Sequence, residues 1–69
     1  MKANTLTQYL VDYGKQVKYN RTFKKLTQKE LAEQVGVSHE WICKIENGKV
    51  RTISLELMHL INDKLDIKP

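Results

Sequence analysis

The residues best suited to specific chemistry fall between positions 38 and 51: Ser38, His39, Glu40, Cys43, Lys44, Asn47, Lys49 and Arg51. Alongside them, Val37, Ile42 and Ile45 are spaced to pin a short helix onto a core by one face. His39, Glu40, Cys43, Lys44 and Asn47 then share the opposite face. That face is polar and narrow enough for a DNA major groove about 12 Å wide. Its chemistry is hydrogen bonding: a lysine donates to guanine O6 and N7, and a glutamate accepts from cytosine N4. Glu40 also stands four residues before Lys44, so a local ion pair competes with a base contact. His39 divides between phosphate and base edge, and Lys44 competes as plain solubilising charge.

Such a face needs elements that present it. Thr27 with Glu30 forms a capping box just before Leu31, Ala32 and Val35, which starts one helix sharply. Gly36 ends that helix in the left-handed conformation glycine tolerates best. Ser38 caps the next helix, which runs to about Asn47 and is stopped by Asn47-Gly48. Two helices of about eight to ten residues joined by a short glycine-containing turn are the sequence form of a helix-turn-helix, here over residues 27–48. Ala32 is small where the two helices cross.

Upstream, a helix fits roughly residues 6–24, with Thr5 as cap and Gln8 as its capping-box partner. Leu6, Leu10, Tyr13 and Val17 make one apolar stripe along it. Gly14 costs up to ~1 kcal/mol relative to alanine, and marks either close packing or a break between two shorter helices. Downstream, Ser54 caps a helix through about Lys64, with Leu55, Met58, Ile61 and Leu65 on its core face. The last four residues, ending in Pro69, are expected to fray, and Asn20 and Asn62 to pair with each other. Strand signals are nearly absent. The expected fold is all-α, a compact bundle of four or five helices with a helix-turn-helix.

The length of 69 residues fits a single domain, 1–69. With 41% hydrophobic and 29% charged residues the chain is an ordinary folded domain. A formal charge of +4 and a pI near 9.3 suit a polyanionic partner. Residues 1–37 carry seven basic side chains against three acidic ones, whereas residues 38–69 carry five of each. Cys43 is the one cysteine, so an internal disulfide and a cysteine metal cage are excluded. His39 and His59 lack the partners that catalysis needs, so an enzyme, a metal site and a cofactor are not expected. Met1–Asn4 is polar and no apolar run approaches the ~20 residues of a membrane helix. A soluble, cytoplasmic protein with no membrane partner is expected.

The stretch Leu26-Thr27-Gln28-Lys29-Glu30-Leu31-Ala32-Glu33-Gln34-Val35-Gly36-Val37-Ser38, with Trp41-Ile42-Cys43-Lys44-Ile45-Glu46-Asn47-Gly48-Lys49, resembles the Cro/C1-repressor (XRE-type) family. The resemblance extends over roughly residues 13–65. It implies a lambda-repressor-like fold and a transcriptional regulator, usually a repressor acting as a homodimer on a near-palindromic operator in double-stranded DNA. By the same resemblance Ser38, His39, Glu40 and Lys44 are base-reading positions. Gln28 contacts phosphate and braces the recognition helix, and Asn47, Lys49 and Arg51 contact the DNA backbone. Arg21 and Glu46 match a buried pair that ties the first helix to the third. Trp41 is expected at the edge of the core, Cys43 as a small filler and His59 toward solvent.

Three departures from the family pattern bear on assembly. Residues 1–12 are expected to extend the first helix beyond the usual start, relatives often continue after the position of Ile67 into a fifth helix, and Leu57 and Leu60 stand where polar residues are usual. Leu6, Leu10, Leu57 and Leu60 are therefore the expected homodimer interface, unless the leucines of the fourth helix simply cover Leu6 and Leu10 within one subunit. The alternative function is an antitoxin-type module that binds both DNA and a partner protein.

Overall fold

The computed structural model describes residues 5–68, which form four helices and, among the described residues, no strand. They are α1 (Thr5–Phe23), α2 (Gln28–Val35), α3 (His39–Glu46) and α4 (Leu55–Leu65). Residues 1–4 of the expected N-terminal extension, and Pro69, lie outside the described residues. Val17 of α1, Leu31 of α2, Ile42 and Ile45 of α3, and Ile61 and Leu65 of α4 are buried together. Each such side chain stabilises the fold by about 1.5–3 kcal/mol. α1 lies against α3 and α4, and α2 packs on the same two helices.

α1 runs unbroken through Gly14, because that residue is where α3 crosses: a Cβ there would run into the Ile45 carbonyl oxygen. Of the two readings of Gly14, close packing is the one observed. The expected Thr5/Gln8 capping box is not formed. Thr5 is already helical, whereas a capping residue must be extended, and Gln8 donates forward to Asp12 at 3.0 Å.

All four helices end alike. Lys25, Gly36, Gly48 and Asp66 each adopt positive φ, between 57° and 79°. The amide that follows returns to a carbonyl five residues back: Leu26 to Arg21, Val37 to Ala32, Lys49 to Lys44 and Ile67 to Asn62, at 2.9–3.1 Å. The last of these bonds corrects the expected fraying for Asp66 and Ile67, since it holds Ile67 against the core. Beside it Lys24 pairs with Asp66 at 2.8 Å. The ammonium's hydrogen bond and charge hold the Asp66 carboxyl below its ordinary range.

The register of α4 differs from expectation. Its buried row is Leu57, Ile61 and Leu65, while Leu55 is 83% exposed. Residues advance about 100° around a helix, which puts Leu55 and Leu60 on opposite flanks of that row. Asn20 and Asn62 do not pair either. Asn20 donates to the Leu65 carbonyl at 3.0 Å, and Asn62 accepts from the Tyr13 hydroxyl at 2.7 Å. Burial, with the neighbouring Tyr9 second, pushes the Tyr13 hydroxyl above its usual titration range, so it remains a donor.

Candidate nucleic-acid interface

Local sequence builds the two-helix unit. The Glu30 amide donates to the Thr27 hydroxyl at 3.0 Å and the Thr27 amide to the Glu30 carboxylate at 2.8 Å, closing the capping box at the start of α2. Gly36 turns the chain at φ 79°, where a side chain would be strained. Ser38 then caps α3, its hydroxyl accepting from the Trp41 amide at 3.1 Å.

α3 is anchored by its buried Ile42, Ile45 and Glu46. Trp41 is half-buried at the rim of the core, and Cys43 is also half-buried. Ser38, His39, Glu40, Lys44 and Asn47 are exposed. The helical rotation of about 100° per residue turns Glu40, Lys44 and Asn47 squarely outward. His39 and Cys43 stand at the edge of that face nearer α2, so the five residues do not share one orientation. Among the described residues, Glu40 and Lys44 form no ion pair with each other, which leaves both heads available to a ligand. The Asn47 side chain donates to Cys43 Sγ at 3.4 Å.

Beneath this face lies a buried polar chain. The Arg21 guanidinium donates twice to Glu46, Nε to Oε2 at 2.6 Å and Nη2 to Oε1 at 3.0 Å, and its third nitrogen reaches the Leu26 carbonyl at 2.7 Å. Gln28 Nε2 donates to Glu46 Oε1 at 3.0 Å, and Gln28 Oε1 meets His39 Nε2 at 3.1 Å. His39 and Glu46 are the first and last residues of α3, seven apart and so on one side of it. One α2 side chain therefore holds both ends of α3. Its contact with His39 escaped the sequence reading, because two polar residues eleven positions apart in different helices carry no periodic signal.

The loop after α3 carries Lys49 and Arg51, both exposed. They share an open groove with Leu6 and Thr7, so the start of α1 borders this basic loop. Of the expected interface leucines, Leu10 at 4% and Leu57 at 9% exposure belong to the core of the single chain. Leu6 at 58% and Leu60 at 38% remain outside. Tyr9, Tyr19, Phe23 and Leu55 are exposed apolar residues absent from the expected interface; Tyr9 and Leu55, with Leu6, Leu10, Ile53 and Met58, line an open groove of about 220 Å³. Tyr9, three residues beyond Leu6, was visible at helical spacing. Among the described residues no cluster of His, Cys, Asp and Glu can hold a metal, and no helix is long and apolar enough to cross a membrane.

The family model for the helix-turn-helix matches residues 17–69. The solved structure of the restriction-modification controller protein C.AhdI from Aeromonas hydrophila is similar, with a TM-score of 0.79 and 31% identity. The match covers 88% of this chain and 91% of that one. Comparison with curated proteins gives no match. With capped α2, glycine turn and outward-facing α3 matched over most of its length, the chain belongs to the XRE-type helix-turn-helix family of DNA-binding regulators.

Proposed function

We propose that this regulator is a repressor that binds a near-palindromic operator in double-stranded DNA as a homodimer. The observation that carries the reading is the presentation of α3: its apolar side and Glu46 are locked into the core, and Glu40, Lys44 and Asn47 face outward. Ser38, His39, Glu40 and Lys44 read base edges. Lys44 supplies a donor for guanine and Glu40 an acceptor for cytosine. Ser38 keeps its hydroxyl proton for donation while its oxygen caps the helix. Gln28 retains one amide hydrogen for a phosphate, and Asn47, Lys49 and Arg51 hold the DNA backbone.

The similarity to C.AhdI, a restriction-modification controller protein, supports the reading as a regulator. The groove at Leu6, Tyr9 and Leu55 is the favoured dimer face, with Leu60 on the other flank of α4 the lesser one. The test is selection of bound sequences from a random duplex library. The proposal expects an enriched half-site repeated with two-fold symmetry, its copies about 34 Å apart along the duplex. Enrichment of no sequence, with binding that depends only on salt, would refute it.

A further inference from the structure

The polar chain under α3 runs in one direction. A carboxylate held by a guanidinium accepts hydrogen bonds and donates none. Gln28 must therefore turn its amide nitrogen toward Glu46, as Nε2 does at 3.0 Å. Its oxygen is then the atom aimed at His39, 3.1 Å from Nε2, and an amide oxygen only accepts. His39 Nε2 must carry the proton of that bond. In a neutral imidazole one ring nitrogen donates and the other accepts. Nδ1 is thus left with its lone pair, and among the described residues it has no partner on an exposed side chain.

We propose that His39 reads DNA as a single fixed tautomer, its Nδ1 accepting a hydrogen bond from an exocyclic base amine, adenine N6 or cytosine N4, in the major groove. The inference rests on α3 being the recognition helix. Every base pair carries one such amine in that groove, so the selection is for the strand that bears it. Guanine presents O6 and N7, and thymine presents O4; these are acceptors that would face the Nδ1 lone pair with no hydrogen between them. His39 is then the residue that determines specificity at one base position, and Gln28, with Glu46 and Arg21 behind it, positions its proton.

Two measurements test this. In the first, long-range ¹⁵N NMR of the free protein at mildly alkaline pH shows which His39 nitrogen carries the proton. The expected result is Nε2–H alone in the wild type and a mixture of both tautomers in Gln28→Leu. A proton on Nδ1 in the wild type, or the same mixture in both proteins, overturns the inference. Should Gln28→Leu fail to fold, the wild-type spectrum alone decides. In the second, library selection compares the wild type with His39→Leu, an exposed position. One half-site position is expected to favour adenine or cytosine over guanine or thymine by roughly fivefold to a hundredfold in the wild type. His39→Leu is expected to lose that preference and keep the others. A preference for guanine or thymine there, or no position that responds to His39, overturns the inference and leaves the regulator reading intact. A wild type that enriches no sequence overturns both.

Discussion

The Glu46 side chain is only 1% exposed, and a carboxylate so far from water must be compensated by its neighbours. Arg21 and Gln28 supply three hydrogen bonds between them. Arg21→Met should therefore destabilise the fold by about 3–5 kcal/mol in urea denaturation, since it leaves the buried charge unpaired. Adding Glu46→Leu should recover most of that loss, because both desolvation penalties disappear together. DNA affinity should stay low in the double variant, as Gln28 has lost its anchor. A double variant no more stable than Arg21→Met would mean that the pair itself, rather than its compensation, holds α1 to α3. The two residues lie 25 positions apart, so spacing alone gives no hint of the pair; the family resemblance supplied it. The expected Asn20–Asn62 contact failed for a related reason. A polar side chain at a helix border takes whichever carbonyl or hydroxyl packs beside it, and that choice is tertiary.

Helix boundaries depend on a few neighbouring residues, and apart from the Thr5/Gln8 box at the start of α1 these were legible. Thr27 with Glu30, Ser38, Ser54 and Gly36 sit where capping chemistry places them. The register of α4 was not legible, because Leu55, Leu57 and Leu60 offer more than one apolar stripe and α1 and α2 decide which faces inward. Gly14 separates local from tertiary control most clearly. Alanine is the better helix former by up to ~1 kcal/mol, yet its Cβ would meet the Ile45 carbonyl. Gly14→Ala should thus destabilise by about 1–3 kcal/mol in thermal unfolding and weaken DNA binding by displacing α3. An increase in stability would show that α1 and α3 separate freely. Lys25 gives the opposite case. It holds φ 61° with a side chain attached, and Lys25→Gly should stabilise by about 1 kcal/mol in the same measurement. A loss of stability there would mean that the lysine side chain contributes more than its backbone strain costs.

For the whole molecule, what covers the apolar surface governs function. Leu6, Tyr9 and Leu55 surround one groove, while Phe23 at 78% exposure lies on another with Tyr19 and Leu65. If the first groove is the dimer face, a protein carrying both Leu6→Glu and Leu55→Glu should sediment as a monomer where the wild type is a dimer. Its operator affinity should fall by roughly a hundredfold or more, through loss of the second half-site. Phe23→Glu should change neither. A wild type that remains monomeric in sedimentation with operator present would remove the dimer from the account. The leucines were visible in the sequence as a surplus of apolar residues, but only the packed chain separates Leu10 and Leu57, which the core consumes, from Leu6 and Leu55.

In the proposed function α3 reads base edges while the loop after it grips the backbone. Titration of the wild type, Lys44→Ala and Lys49→Ala against the selected operator and its single-base variants over a range of salt separates the two roles. Lys44→Ala should lose about 1–3 kcal/mol on the operator and relax discrimination at one base pair. Lys49→Ala, like Arg51→Ala, should weaken all sequences alike and flatten the salt dependence by roughly one counterion. Unchanged base preference in Lys44→Ala would contradict the account.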